Sequence, residues 1–386
     1  MNEDNNQLLG GLSPTEFLHT YWQKKPLLIR RAIPDLSLFI SPDELFQFAF
    51  EETVESRIVL ERGGDYPWQV LHGPFDESTL SRLSGSCWSL LVQGVNFHDA
   101  RAACLLRKFS FIPNWRIDDL MISYAVDRGS VGPHVDSYDV FLLQTLGHRN
   151  WRISSKDYGD NEFLPDADLR IIEEFNYDQE WDLEPGDMLY LPPGTAHHGI
   201  ALGECMTCSI GFRAPTHHEL LSGYLEDRYN RDTDIQYADP DLVAQSQAGE
   251  ISPDSLTRIK NIMRSLVENG EDIDSWFGRY ITALPEAISP GDNPESVDLH
   301  GFREIIKRNP LMCLHHSSRA AFFQNGDELL LFVNGMEYRF RESCREIIHE
   351  ITAYNTFDCS SLGPDVLDEC TEVLQDLYNK GVLICR

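Results

Sequence analysis

Long apolar runs are missing from this chain. Leu329 to Val333 is typical of what there is, far short of the ~20 residues that cross a bilayer. A basic n-region followed by an apolar h-region is also missing from MNEDNNQLLGG, which therefore does not read as a secretory leader. Basic residues are scarce: 32 Lys and Arg stand against 62 Asp and Glu, a net charge of −30. That balance excludes a general nucleic-acid binder, which needs basic surface to displace counterions. It suits a basic macromolecular partner, which an acidic surface attracts. A paired cysteine framework is absent too. Nine cysteines, an odd number scattered along the chain, fit reduced thiols and a cytoplasmic setting. The lone Cys205-x-x-Cys208 lacks a second pair to complete a zinc site and reads as two buried thiols on a strand. Internal repeats and low-complexity tracts are not seen.

What is present suggests two or three domains, since 386 residues exceed one ordinary domain and 42% are hydrophobic. Ser13-Pro14 and Ser41-Pro42 are helix starts, with Ser as N-cap and Pro in the first turn. Strand-like runs follow at Lys25–Ile33, Arg57–Leu60, Trp88–Val95, Leu120–Val126, Tyr138–Thr145, Trp151–Ser154, Met188–Leu191 and Met206–Phe212. Many short strands bounded by turn residues predict a barrel or sandwich. After Pro215 the pattern turns helical, at His218–Arg228, Ser252–Asn269 and Ile273–Ala283. Ile288 to Glu295 reads as a linker. Beyond it, a helix at Val297–Arg308, hairpin turns at Asn325-Gly326 and Asn334-Gly335, and helices at Cys344–Tyr354 and Asp365–Asn379 resemble a winged helix. Its acidic last helices argue against direct DNA binding.

The chemistry concentrates in Gly132-Pro133-His134-Val135-Asp136. Residues two apart on a strand share a face, so His134 and Asp136 can supply two ligands to one metal. The pattern alone is common: about two His-x-Asp/Glu matches arise by chance in such a composition. His217-His218-Glu219 is the rival, but at a helix start its side chains diverge, so it reads as surface. His197 and His198 follow the turn Pro192-Pro193-Gly194. Adjacent residues on a strand point oppositely, so only one of them can join His134 and Asp136. Two His and one carboxylate leave metal positions open, as in non-haem Fe(II) oxygenases.

Five segments then carry a resemblance: Tyr21–Pro26, Trp115–Ser123, Gly132–Phe141, Glu184–Gly194 and Ser209–Pro215. With them the chain resembles the JmjC-type, cupin-barrel 2-oxoglutarate oxygenases, in their bacterial ribosomal oxygenase branch. The resemblance implies an α+β protein: a double-stranded β-helix (jelly-roll) JmjC domain over 1–215, a helical dimerisation domain over 216–290, and a winged-helix-like domain over 291–386. It implies Fe(II) held by His134, Asp136 and His197, with 2-oxoglutarate and molecular oxygen as cosubstrates and succinate and carbon dioxide as products. Arg149 is the implied partner of the distal 2-oxoglutarate carboxylate, which suits a guanidinium fork. His148 and Arg152 are competing cations, and Ser123, with a short hydroxyl on an adjacent strand, is a further candidate contact for the cosubstrate. No side-chain general base is implied. The expected substrate is an arginine β-carbon of a basic large-subunit ribosomal protein (L-sixteen in the branch). A ribosomal histidine is the alternative. An arginine pocket needs a carboxylate, and Asp118, Asp119 and Asp139 are the candidates. The implied protein is a homodimer. A cupin-like metal enzyme acting on small molecules, or a non-catalytic binding module, are the competing classes.

Overall fold

The computed structural model describes residues 7–36, 39–61, 68–165, 169–231, 235–244, 247, 249–268, 271–291, 296–354 and 356–386. Residues 292–295 of the expected linker lie outside these.

Both serine-capped helices form where the caps stand. α1 (Pro14–Thr20) and α2 (Pro42–Phe50) each open on a capping box, in which Ser13 or Ser41 exchanges hydrogen bonds with Glu16 or Glu44. Together with α3 (Ala100–Leu106) they cover one face of a ten-stranded sheet. Its strands are β1 (Leu27–Ile29), β2 (Ser56–Glu61), β3 (Trp68–His72), β4 (Trp88–Val92), β5 (Ile117–Ala125), β6 (His134–Val135), β7 (Val140–Ser154), β8 (Gln179–Leu183), β9 (Met188–Leu191) and β10 (Ala196–Phe212). The path runs β1-β9-β7-β10-β5-β4-β2-β3, with β6 on β10 and β8 on β7. The long antiparallel pair β7 and β10 is the spine of this sheet.

Strand alternation separates two environments. Phe141 and Leu143 face the covering layer, where Phe17, Leu45, Phe109, Tyr190 and Phe212 form the main core. Val140 and Leu142, on the other side of the same strand, line an inner cavity. The motif Tyr21–Pro26 serves this layering. Gln23 sits at φ 55° and donates from its backbone to the Tyr190 hydroxyl at 2.8 Å. In the motif at Glu184, Gly186 (φ 94°) turns the chain, and buried Asp187 accepts from the Arg31 amide at 2.9 Å and pairs with Arg30.

After the sheet come α4 (His217–Arg231), α5 (Pro253–Glu268) and α6 (Glu271–Thr282). The C-terminal unit has its own core. It holds α7 (Leu299–Arg308), β11 (Leu311–Leu314), β12 (Ala320–Asn325), β13 (Glu328–Val333), β14 (Met336–Arg341), α8 (Arg345–His349), β15 (Thr356–Asp358), α9 (Pro364–Asn379) and β16 (Leu383–Cys385). Asn334 and Gly335 both take positive φ, 50° and 79°, the conformation a two-residue hairpin loop requires. The expected helix at Cys344–Tyr354 is α8 followed by a π-turn over Glu350–Tyr354. Cys205 and Cys208 are buried on β10, as expected of core thiols. His217 and His218 are exposed, as expected of the rival motif.

Candidate metal and cosubstrate site

β6 and β10 bring the metal candidates together. His134 pairs in register with His197, and His197 also pairs with Ile153 of β7. One ligand atom each from His134, Asp136 and His197 lies within 4.8 Å of the others. Nε2 of His134 is 3.8 Å from one Asp136 oxygen, and Nε2 of His197 is 3.6 Å from the other. Each ring is oriented through its opposite nitrogen. Nδ1 of His134 meets the Gly132 carbonyl, and Nδ1 of His197 the Thr195 carbonyl, both at 2.9 Å. These contacts put the proton on Nδ1 and leave Nε2 free for a metal. Burial, then the neighbouring His134, pushes the pKa of His197 well below its ordinary value, keeping the ring neutral. His198 points the other way, and its Nε2 contacts the Ser130 hydroxyl at 2.9 Å. Strand alternation thus settles which of the two histidines joins the triad.

The same cavity is lined by Leu142, Arg149, Trp151, Thr207 and Ser123. Arg149 is 3% exposed, and its Nε and Nη2 are buried with no hydrogen-bond partner among the described residues. Its guanidinium lies 5.8 Å from the Trp151 ring centroid, and the Trp151 Nε1 is also unpartnered. A buried guanidinium with open donors is costly unless an anion completes it. The donor set therefore fits a carboxylate ligand, and the nitrogen, nitrogen and oxygen face beside it fits Fe(II). The competing cations lie elsewhere: His148 is exposed, and Arg152 pairs with Glu180 at 2.9 Å. Ser123 is buried, its hydroxyl 3.4 Å from the Thr207 carbonyl.

A bulge aims Arg149 inward. Between Gln144 and Leu146, two steps on β7 answer one step on β10, so Thr145 is the extra residue. Val140 and Leu142 face the cavity before it; Arg149 and Trp151, of opposite parity, face the cavity after it. Gly147 follows at φ 60°, and a Cβ there would stand 2.0 Å from the Glu204 carbonyl oxygen. Gly147→Ala is expected to lower stability by about 2 kcal/mol or more. Denaturant titration with an unchanged m-value would measure it.

Of the three acids expected at a substrate, two line the cavity. Asp118 accepts from Arg213 Nε at 3.1 Å and Arg319 Nη2 at 3.2 Å. Among the described residues Asp119 accepts only from neutral donors, Gln93 Nε2 at 2.8 Å and the Gly94 amide at 2.9 Å. Asp139 does not belong with them. It precedes the inward-facing Val140, so alternation turns it to the covering layer. There it is fully buried, accepting from Tyr190 Oη at 2.6 Å and Gln23 Nε2 at 2.9 Å, with Arg116 at 3.5 Å. Gln93, Met121 and Tyr138 also line the cavity. The sequence reading missed them. Met121 could have been found by alternation from Ser123, whereas Gln93 reaches the site only through the β4–β5 pairing.

Fold and site together define a JmjC-type oxygenase of the 2-oxoglutarate-dependent class. A JmjC domain model matches residues 104–220, and a ROXA-like winged-helix model matches 264–384. The second match starts within the helical stretch rather than at the expected boundary of 291. The ribosomal protein uL16 3-hydroxylase of Escherichia coli is 41% identical over 286 residues, covering 73% of this chain and 75% of that protein. A probable ribosomal oxygenase of Haemophilus influenzae is 34% identical over 72% of this chain and 69% of its own length. The crystal structure of E. coli YcfD superposes with a TM-score of 0.86 at 32% identity, over 97% of this chain and 98% of that one. YcfD complexes with cobalt and 2-oxoglutarate, and with cobalt and succinic acid, each superpose with a TM-score of 0.82. The chain belongs to the JmjC ribosomal oxygenase family.

Proposed function

We propose that this protein hydroxylates an arginine β-carbon of the ribosomal protein uL16, using Fe(II), 2-oxoglutarate and oxygen. The observation that carries the reading is the buried, unpartnered Arg149 in the cavity of the His134, Asp136 and His197 triad. The three triad residues would hold iron on one face. Arg149 would take the distal carboxylate of 2-oxoglutarate by paired charge-assisted hydrogen bonds, with Ser123 beside it. When bound, iron with 2-oxoglutarate and oxygen supplies the oxidising power to insert one oxygen atom into a C–H bond, yielding succinate and carbon dioxide. The protein's part is positioning. Val140, Leu142 and Trp151 keep the inner wall largely apolar, and Asp119 presents negative charge to a guanidinium. The net charge of −30 favours encounter with a basic ribosomal protein. A cytoplasmic location accords with that substrate and with nine free cysteines. Among the described residues no helix is long and apolar enough to cross a membrane.

Mass spectrometry of uL16 incubated with the enzyme and its cosubstrates tests the reading. A gain of one oxygen on a single arginine is expected. A gain on a histidine would move the target residue, and succinate without protein modification would discard uL16.

The pH dependence should carry the mark of Asp119. Removal from water, then the charge of Asp118, raises its pKa to about 6, against the neutral donors Gly94 and Gln93, with Glu55 adding to the rise. A carboxyl raised in this way gains its charge only as pH climbs through about 6. KM for the cationic substrate is therefore expected to fall between pH 5 and pH 7, and Asp119→Asn to hold it at the low-pH value. Folding carries the opposite sign. The native state keeps its proton longer than the unfolded chain, so Asp119 lowers stability as pH rises from its ordinary value towards 6.

We further propose that the helical segment is a homodimer contact and that the chain divides near 215 and 290. α5 exposes Leu256, Ile259, Met263 and Val267 along one stripe. A stripe of that kind calls for a partner helix, and a second copy supplies one by two-fold symmetry. Ile259→Glu with Met263→Glu is expected to halve the mass seen by light scattering while the circular dichroism stays unchanged.

A further inference from the structure

Three parts of the molecule meet at Asp118. Its carboxylate stands at the cavity lip, 52% exposed, yet it is gripped from two sides by guanidiniums that are mostly buried. Arg213, just after β10, donates Nε to Asp118 at 3.1 Å and donates Nη1 to the Ile281 carbonyl. Arg319, at the foot of β12, donates Nη2 to the Asp118 carboxylate at 3.2 Å and to its backbone carbonyl at 2.6 Å. Its Nη1 donates to the Ala283 carbonyl at 3.1 Å. Ile281 and Ala283 lie at the C-terminal end of α6, where carbonyls lack intrahelical partners and the dipole is negative. Each arginine thus joins the helix end to the acid at the lip.

Arg319 is itself preset. Its amide donates to Asn334 Oδ1 at 2.8 Å, and its carbonyl accepts from the Asn334 amide at 3.0 Å. The hairpin residue Gly335 donates to Thr282 Oγ1 at 3.2 Å. The Arg319 guanidinium lies 5.1 Å from the Phe97 ring centroid. A fork held this firmly fixes what it touches.

We infer that Arg319 of the winged helix is a positioning residue for substrate recognition, holding Asp118 and the start of β5 at the cavity lip beside Asp119. The inference rests on the proposed arginine hydroxylation. It gives the C-terminal unit a part in the reaction: it sets the edge of the cavity, and Asp118, already paired with two cations, leaves Asp119 as the acid open to an incoming guanidinium. Asp118 also lines a groove with Arg213, Tyr280 and Pro285, so the same residue borders both the cavity and that groove.

The test compares the full chain with Arg319→Met and Arg319→Lys. Hydrogen exchange is read at 117–121, and steady-state kinetics on uL16 are measured alongside. Arg319→Met is expected to speed exchange at 117–121 while other β5 amides hold. It should raise KM for uL16 about tenfold, with kcat and the KM for 2-oxoglutarate within about twofold. Arg319→Lys keeps the charge without the fork and should recover part of the loss. If Arg319→Met does not fold, Arg319→Lys carries the test, with a smaller rise of the same kind. Unchanged exchange, an unchanged KM for uL16, or a fall in kcat at constant KM would each overturn the inference. Failure of the wild-type enzyme to modify uL16 would defeat the functional reading instead, and exchange at 117–121 would then decide the positioning role alone.

Discussion

Arg149→Met is expected to change the protein in two opposite directions. Without ligands the variant should be the more stable, by about 1–3 kcal/mol, because a guanidinium with two buried, unpartnered nitrogens gives way to an apolar chain of similar length. With 2-oxoglutarate the order should reverse. The paired contacts to its distal carboxylate are worth about 1.5–3 kcal/mol, so KM for 2-oxoglutarate should rise between about 10-fold and 150-fold. Thermal unfolding with and without 2-oxoglutarate reads both effects, since a ligand stabilises the native state only as far as it binds. Equal melting of the two unliganded proteins would mean that the nitrogens are satisfied after all. A wild-type KM in the variant would remove Arg149 from the cosubstrate site.

His134→Ala should abolish turnover. His134 and His197 stand ring to ring, 4.2 Å between centroids, with Asp136 bridging their Nε2 atoms. Removing one of three ligands leaves a two-coordinate remnant. Losing only an outer partner of a metal ligand costs about 10- to 100-fold, so loss of the ligand itself should cost at least about 10³-fold in both uL16 hydroxylation and succinate release. The loss should be traceable to metal. Fe(II) or Co(II) is expected to raise the melting temperature of the wild type and to leave the variant unmoved. A variant that binds metal like the wild type, or still forms succinate, would take His134 out of the triad.

Much of this site could be read from the residues, and the reasons differ between elements. Period-two alternation put His134 and Asp136 on one face and allowed only one of His197 and His198 to join them, and the register of β10 with β6 agrees. Capping chemistry located α1 and α2, and the Asn-Gly turns located β13. β7 was legible only in two pieces, because Gly147 and Asn150 look like strand ends while β10 pairs with both sides. β3 and β8 were missed; Gln179–Leu183 is mixed in polarity and owes its form to β7 alone. Asp139 is close to the metal motif along the chain but not in space, because its neighbour Val140 already occupies the inner face. Gln93 and Arg319 come from distant segments, and no local pattern announces either. The roles of Arg149 and the choice of substrate residue came from resemblance, which no spacing rule replaces.

The extra residue at Thr145 has a consequence for how this strand can change over time. On its N-terminal side, even-numbered positions answer to the cavity; on its C-terminal side, odd-numbered ones do. The two halves of β7 therefore keep separate phases, like two rulers joined with a one-notch offset. Loss of a single codon at the joint would leave His134, Asp136 and His197 in place while rotating Arg149 out of the chamber. Such a lineage would keep the metal-binding triad and lose the buried cation from the chamber in one step, so the same barrel with and without that guanidinium can stand one residue apart.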